Sequence, residues 1–319
     1  MNDRKSIMLA GLHAGAKILE VGPLASPIAS RSEGWNTYYL DYISTKELRE
    51  KYRDYSDINI NNIVNVDFVS NNEQITEIIP KEHHNTFDAC IASHVIEHIP
   101  DIIRFLCQME ILLNNKGRLV LAVPDKRFCF DIFKPLTVSS DLLEAYYKKR
   151  TLHSSKTKFD QLNYSLTSNK KLAWDSNEDH DLEFISSSLV SADQIFNNHD
   201  QTYHDCHGLY CTPDSFELLI LELNELKYIQ FQIESISDTI GFEFFVTLTK
   251  KSENNLNINL KRLELLKKIY ALDINNIQFI KNARPHESIK YNILILTNTL
   301  IKLTKIIAKR ISHKISGRR

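Results

Sequence analysis

The stretch "KILEVGPLASPI", Lys17 to Ile28, decides how the first half of the chain is interpreted. An apolar run ends in an acid, Glu20, and Gly22 lies two residues further on. This pattern is typical of a buried strand that leads into the ligand-binding loop of a nucleotide-binding unit. Leu24 and Ser26 stand where a dinucleotide-binding loop carries further glycines. Since close backbone approach to a pyrophosphate depends on those glycines, the loop predicts a ligand without one.

Short apolar runs alternate with helical patterns over about the first 135 residues. Four further strands are predicted in the runs TYYLDY, IVNVDFV, FDACIAS and GRLVLAVP, and this alternation indicates a parallel sheet covered by helices. A helix is predicted from Pro100–Asp101 to Asn114–Gly117, and another near Asp141–Arg150. A further helix begins at Thr212 and Pro213, an N-cap and first helical residue, and two strands after it are predicted to pair antiparallel at the sheet edge.

Acidic residues follow the first three predicted strands. Glu20 ends the first, Asp41 ends the second and Asp67 lies near the end of the third. Ligands of open parallel sheets bind at the carboxyl ends of the strands, so Asp41 is placed to accept hydrogen bonds from ribose hydroxyls and Asp67 from an adenine amino group. The alternative is that these acids cap helices. A nucleoside ligand without phosphates points to S-adenosylmethionine.

Several segments resemble one family. They are "EVGPLASPI", "LDYISTKELREKY", "ASHVIEHIPD", "VPDKRFCFDIFKPLT" and "HGLYCTPDSFELL". Together they are similar to class I S-adenosylmethionine-dependent methyltransferases of a bacterial family associated with glycosyltransferases and surface-polysaccharide synthesis. The resemblance covers residues 15 to 250. It implies a Rossmann-like, mostly parallel seven-stranded sheet whose last strand is antiparallel.

The resemblance also implies the cofactor-binding residues. Glu20, Gly22 and Pro23 would lie along the methionine moiety, and Asp41 would bind the ribose. Asp67 and Phe68 would flank the adenine, and Ser93 would face the sulfonium.

Histidines supply the candidates for catalysis. His94 follows the fourth strand, so it is our first candidate for the base that removes a hydroxyl proton, since imidazole titrates near neutral pH. The resemblance makes His207 the second candidate, with a structural histidine as the alternative. Lys126 and Arg127 follow the fifth strand and suit an anionic group on the acceptor, unless they are merely solvated. His204 joins them on the predicted acceptor side.

Two patterns suggest a metal. His94-x-x-Glu97-His98 matches an inverted zincin motif, and His204, Cys206, His207 and Cys211 form a cluster. The first runs directly into Pro100, leaving barely one helical turn, and the second lacks the spacing of zinc fingers or ribbons. Related methyltransferases with an acid in place of His94 hold a divalent metal there. We nevertheless expect no metal, and expect Glu97 and His98 to brace their loop.

Composition limits the function classes. The chain has 319 residues, 43% hydrophobic and 25% charged, with a formal net charge of −1. Five cysteines in a chain this large favour reduced thiols and a cytoplasmic location. The acidic body lacks an aromatic-basic face, which argues against nucleic-acid binding.

The predicted organisation has two parts. Residues 1–250 form the methyltransferase domain, in which residues 136–205 are an insertion that covers part of the site. Residues 251–319 form a linker and a basic amphipathic helical tail. Nine basic residues and one acid lie between Arg284 and Arg319. The tail fits either peripheral contact with the inner membrane or a helix pair in a homo-oligomer.

The sequence thus predicts an enzyme that O-methylates a sugar or glycan intermediate of bacterial surface polysaccharide, with glycosyltransferases as candidate partners. The alternative from another class is a non-catalytic, methyltransferase-like scaffold that recruits envelope-synthesis enzymes through its tail.

Overall fold

The computed structural model describes residues 4–71, 73–175, 181–196, 203–250, 257–282 and 284–285. The helices are α1 (Arg4–Met8), α2 (Thr45–Lys51), α3 (Ile75–Ile78), α4 (Ile102–Leu112), α5 (Ser139–Tyr147), α6 (Ser155–Tyr164), α7 (Ala192–Phe196), α8 (Pro213–Glu225) and α9 (Ile258–Asn282). The strands are β1 (Lys17–Val21), β2 (Asn36–Asp41), β3 (Phe68–Val69), β4 (Phe87–Ser93), β5 (Leu113–Pro124), β6 (Leu166–Ser168), β7 (Asp181–Phe184), β8 (Phe231–Ile236), β9 (Glu243–Lys250) and β10 (Arg284–Pro285).

Seven strands form the main sheet in the order β3-β2-β1-β4-β5-β9-β8. The first five strands in this order run parallel to one another. β9 runs antiparallel between β5 and β8, as the predicted edge pair requires. The prediction of a Rossmann-like, mostly parallel seven-stranded sheet with an antiparallel last strand is confirmed.

The side chains of β1 show how both faces of the sheet are buried. Leu19 and Val21 join the larger core, to which α4 and α8 contribute, whereas Ile18 packs on the opposite face with Met8 of α1. Glu20 shares that second face and is 2% exposed. Since successive strand residues point to opposite faces, this acid must find its hydrogen bonds inside the protein.

Some element boundaries differ from the predicted ones. The run IVNVDFV contributes only Phe68–Val69 to the sheet. α4 ends at Leu112, and residues 114–117, predicted to end the helix, already lie in β5. Gly117 sits close against the neighbouring strand, where an added Cβ would lie 2.8 Å from the carbonyl oxygen of Phe87. Residues 114–117 interrupt the pairing of β5 with β4, since Phe87 pairs with Leu113 and Ala89 already pairs with Arg118.

The predicted insertion is more structured than its composition suggests. It holds α5, α6 and α7 as well as β6 and β7, and β10 completes a small three-stranded sheet with these two strands. Most of the predicted basic tail lies outside the described residues. Within the described residues, no helix is both long and apolar enough to cross a bilayer.

The first turns of α9 pack against α8. Leu265 of α9 is fully buried. Ion pairs flank it, from Lys261 to Glu217 at 2.9 Å and from Arg262 to Glu222 at 2.8 Å. The beginning of α9 is thus held on the main fold.

We expect Leu265→Ala to lower the free energy of unfolding by about 2–5 kcal/mol, since it leaves a cavity between α8 and α9. The matched control is Leu266→Ala, on the same helix but 46% exposed, for which we expect a change within about 0.5 kcal/mol. Urea unfolding of both variants measures this. Equal effects would show that the packing of α9 does not contribute to stability.

Candidate cofactor cavity and the charged cluster beside it

A cavity of about 380 Å³ opens at the carboxyl ends of β1, β2 and β4. The strand order reverses here, since β1 lies between β2 and β4, and open parallel sheets bind ligands at such points. We call it the cofactor cavity. Its wall includes Val21, Gly22, Leu24, Asp41, Tyr42, Ser70, Glu73, Gln74, His94, Val95, His98, Tyr203 and Asp205.

The loop after β1 approaches the cavity through Gly22. This glycine has a φ of +64°, and a Cβ added to it would lie 2.8 Å from Cγ2 of Val95. No other residue fits without displacing that side chain. Leu24 also has a positive φ, +45°, which costs a residue with a side chain roughly 1–2 kcal/mol. One glycine and a strained leucine thus do what several glycines do in a dinucleotide-binding loop.

Glu20 holds this loop in place and does not line the cavity. Its carboxylate accepts hydrogen bonds from the backbone N–H groups of Ile28 at 2.6 Å and Ala29 at 3.0 Å. Burial raises the pKa of Glu20 to about 7, although the two backbone N–H groups work in the other direction. The predicted contact with the methionine moiety is therefore replaced by an indirect role in shaping the loop. Pro23, the other residue predicted there, lies on the loop but not on the cavity wall.

Asp41 ends β2 on the wall of the cavity. It is 6% exposed, and one carboxylate oxygen accepts the N–H of Tyr42 at 2.8 Å. Burial raises the pKa of Asp41 to about 6. The carboxylate is thus placed where a ligand's hydroxyls can donate to it.

Asp67 and Phe68 do not line the cavity. Asp67 accepts the backbone N–H of Tyr39 at 2.7 Å and pairs with Arg31. Phe68 stacks on Tyr38, with ring centroids 6.0 Å apart. Both residues fix the edge of the sheet. The cavity wall is formed instead by residues a few positions further along the chain, namely Ser70, Glu73, Gln74 and Ile75.

His94 lies on the cavity wall, but its ring is held by acids. Nε2 is 2.7 Å from Glu243 of β9 and Nδ1 is 3.4 Å from Glu97. Arg4 of α1 also binds Glu243, at 2.7 Å, and donates to the hydroxyl of Ser93. Ser93, predicted to face the sulfonium, is thus engaged by Arg4. Arg4 of α1 and Glu243 of β9, which are far apart in the sequence, therefore meet beside His94.

The charge state of His94 differs from that expected of a base. Burial lowers the pKa of His94, but the carboxylates of Glu243 and Glu97 outweigh burial and raise it to about 9. At neutral pH the ring is an imidazolium whose nitrogens both face carboxylates. It therefore has no lone pair with which to remove a hydroxyl proton, and the predicted base role does not fit this arrangement.

A second set of charged side chains lies beside the cavity. Glu97 is fully buried, and Nε2 of His98 is 3.9 Å from its carboxylate. His207, which is 7% exposed, comes from the segment before α8, and its Nδ1 lies 2.5 Å from Asp131. Nδ1 of His98 lies 2.7 Å from Asp205. We call Glu97, His98 and His207 the Glu97 cluster. His98 belongs both to it and to the cavity wall.

The residues predicted to bind an anionic acceptor lie elsewhere. Lys126 donates to the carbonyl of Ile132 at 2.7 Å. Arg127 pairs with the buried Asp125 and lines a separate cleft of about 620 Å³. His204 is exposed and is not part of the cavity wall. None of the three therefore lines the cofactor cavity.

Sequence reasoning missed several residues of the site. Glu243 and Asp205 come from distant segments, and Asp131 follows "DKRFCF" without any motif of its own. Their only local signal is an acid in an otherwise apolar or aromatic stretch. That signal is common, so only the fold shows that these acids reach His94, His98 and His207.

Residues 5–185 match the family model described as "Methyltransferase domain", and the chain belongs to this family. No curated protein matches the sequence. Similar solved structures include the PH0226 protein from Pyrococcus horikoshii OT3, 12% identical over 77% of this chain and 87% of that one, with a TM-score of 0.42. Two others are a SAM-dependent methyltransferase from Methanosarcina mazei (13% identity, 76% and 95% coverage, TM-score 0.40) and CcbJ methyltransferase from Streptomyces caelestis (11%, 77% and 94%, 0.40).

Strand order and family together define a class I methyltransferase. Enzymes of this class take the methyl group from S-adenosylmethionine. In this chain Gly22 and Asp41 lie on the wall of the cavity at the point where the strand order reverses.

We expect Glu20→Gln to lower the free energy of unfolding by about 1–3 kcal/mol at pH 8, because an amide offers one acceptor oxygen for two backbone N–H groups. The same variant should bind S-adenosylmethionine more weakly, since the loop shapes the cavity. Thermal unfolding and calorimetry measure the two effects. Glu50→Gln, whose side chain is 65% exposed, is the control. A Glu20 variant as stable as this control would show that Glu20 does not hold the loop.

Proposed function

We propose that this methyltransferase binds S-adenosylmethionine in the cofactor cavity and methylates a hydroxyl oxygen of a sugar or glycan acceptor used in bacterial surface-polysaccharide synthesis. The observation that carries the cofactor assignment is the pairing of Gly22 and Asp41 on one wall. Gly22 leaves room that a side chain would fill, and Asp41 offers a buried carboxylate. A nucleoside with two free hydroxyls and no phosphate fits this pair.

When bound, S-adenosylmethionine supplies a methyl group that is already activated for transfer. The chain's own residues then have to align the acceptor oxygen and exclude water. Residues from both ends of the insertion line the same cavity, namely Arg150, Thr151, Tyr203 and Asp205. Their polar side chains suit an acceptor that carries several hydroxyls, which supports a sugar.

The proposal of surface-polysaccharide synthesis rests on the sequence resemblance, since "EVGPLASPI" and "VPDKRFCFDIFKPLT" resemble segments of that bacterial family. Glycosyltransferase partners follow from the same resemblance. The proposal also includes contact of the tail with the inner membrane or with a second copy of the chain. Most of the tail lies outside the described residues.

Affinity for S-adenosylmethionine should depend on the charge of Asp41. The ionised carboxylate accepts hydrogen bonds from ribose hydroxyls, and the protonated form loses acceptor capacity. Since the pKa of Asp41 is raised to about 6, affinity should be full above pH 7 and should fall as the pH drops through 6. Asp41→Asn should weaken binding roughly tenfold to a hundredfold at pH 7.5 and flatten the pH dependence.

Isothermal calorimetry with S-adenosylmethionine and its demethylated product, from pH 5 to pH 8, tests this. Asp54→Asn, an exposed acid on the loop after α2, is the control and should behave as wild type. If wild type binds neither ligand, the non-catalytic scaffold becomes the better interpretation. If Asp41→Asn binds as wild type does, Asp41 does not contact the ribose.

The acceptor is tested with the glycan made by the enzymes encoded beside this chain's own gene. We expect methyl label to pass from S-adenosylmethionine to an alkali-stable ether on a sugar hydroxyl. Label in an ester or on nitrogen would contradict O-methylation of a hydroxyl. Label on a protein or small molecule but not on glycan would exclude the proposed acceptor and leave the methyltransferase assignment intact.

A further inference from the structure

The Glu97 cluster contains a buried carboxylate that accepts no hydrogen bond from the described residues. Glu97 is 0% exposed, and among the described residues neither of its carboxylate oxygens has a hydrogen-bond partner. Nδ1 of His94 is 3.4 Å from Oε1 but without hydrogen-bond geometry. A carboxylate buried without hydrogen bonds is costly even beside the imidazolium of His94, so such a group indicates a missing ligand.

Two imidazoles face that carboxylate. The ligand-type atoms of Glu97, His98 and His207 all lie within 4.8 Å of one another. The rings of His98 and His207 meet edge to face, with centroids 4.6 Å apart. Nε2 of His98 lies 3.9 Å from Oε1 of Glu97. Two atoms at this separation can both bind one ion that lies about 2.0–2.2 Å from each of them.

Each imidazole has an acid at its other nitrogen. Nδ1 of His207 lies 2.5 Å from Asp131, which is also bound by the buried Lys134 at 2.6 Å. Nδ1 of His98 lies 2.7 Å from Asp205. Metal-binding histidines have such acids at the nitrogen that does not bind the metal, because the acid fixes the ring and makes the ligand nitrogen more basic.

The backbone around the cluster is fixed as well. The N–H of Gly208 donates to the carbonyl of Glu97 at 2.6 Å. A Cβ on Gly208 would lie 3.2 Å from the ring of His153, whose Nε2 in turn contacts the carbonyl of His98 at 3.0 Å. The segments that supply His98 and His207 are therefore held together before any ion binds.

We propose that Glu97, His98 and His207 bind a divalent transition-metal ion. Two imidazole nitrogens and one carboxylate oxygen suit Zn²⁺, Co²⁺ or Mn²⁺ better than Mg²⁺ or Ca²⁺, which prefer oxygen ligands alone. This set differs from the two metal patterns in the sequence, because His94 faces Glu243 and no cysteine takes part. It replaces the expectation that Glu97 and His98 only brace their loop.

The position of the proposed metal site indicates its role in the reaction. His98 and Asp205 belong to the wall of the cofactor cavity, so the ion lies beside the place of methyl transfer. An ion with three protein ligands keeps a position for an exogenous oxygen. If the proposed function holds, that oxygen is the acceptor hydroxyl, whose pKa the ion lowers. The methyl carbon then bonds to this oxygen as its bond to sulfur breaks, sulfur keeps the electron pair, and the hydroxyl proton passes to solvent.

Metal binding is tested without substrate or cofactor. The full chain is stripped with a chelator and titrated with Zn²⁺, Co²⁺, Mn²⁺ or Mg²⁺ alone, using equilibrium dialysis with elemental analysis and the visible spectrum of Co²⁺. We expect one tightly bound Zn²⁺ or Co²⁺ per chain and much weaker Mg²⁺. Asp131→Asn should weaken binding about 10- to 100-fold. Glu97→Gln and His207→Ala should abolish it. The exposed-residue variants His13→Ala and Glu50→Gln should bind as wild type does.

Thermal unfolding keeps the test decisive if a variant is less stable. Zn²⁺ should raise the melting temperature of wild type but not that of folded Glu97→Gln. Absence of binding to wild type, or wild-type binding by both Glu97→Gln and His207→Ala, would overturn the proposal. Calorimetry with S-adenosylmethionine on the same stripped sample keeps the two proposals apart, since the cofactor should bind whether or not the metal does.

Discussion

The buried carboxylate of Glu20 is the contact on which the cofactor cavity depends. This carboxylate lies on the same face of β1 as Ile18, where a buried charge is costly. The N–H groups of Ile28 and Ala29 reduce that cost by donating hydrogen bonds to it. Those two hydrogen bonds bring the chain back over the end of the strand and close the loop from Gly22. The loop then needs no row of glycines, because its shape comes from an internal acceptor and from two prolines that restrict the backbone. Leu24 accepts a left-handed conformation as part of this arrangement.

A second feature is the number of charges buried at the carboxyl edge of the sheet. Glu243, Glu97 and Asp131 all lie below 9% exposure. Hydrophobic residues of similar size would be as stable or more so at such positions. The acids are arranged around three histidines, and a charge that reduces stability is retained most readily where it serves a site. The histidines in the stretch from Ser93 to His98 have different environments: His94 lies between Glu243 and Glu97, whereas His98 lies between Glu97 and Asp205.

The fold could be predicted largely from the sequence, because strand and helix patterns are local and the order of apolar runs restricts the topology. The five parallel strands, the N-cap at Thr212 and the antiparallel edge pair all follow from such patterns. Errors arose where a tertiary contact decides the local structure. The third strand is short because Asp67 turns inward to the N–H of Tyr39 and to Arg31. Residues 114–117 follow the first residue of β5 and interrupt its pairing with β4, where Gly117 packs close to the carbonyl of Phe87.

The site was less predictable, because its chemistry depends on pairs far apart in sequence. His94 and Glu243 are 149 positions apart, and His207 and Asp131 are 76 apart. A histidine at a strand end looks like a base until its partners are known, and here Glu243 gives it a positive charge. Glu97 and His98 show the opposite case. In the sequence these adjacent residues are expected only to support their loop. Once His207 is placed opposite them, the acid has two imidazoles in reach and no hydrogen bond of its own among the described residues. If the Glu97 cluster binds a metal ion as proposed, that cation lowers the pKa of an acceptor hydroxyl in the cavity, and no protein base with a free lone pair is needed.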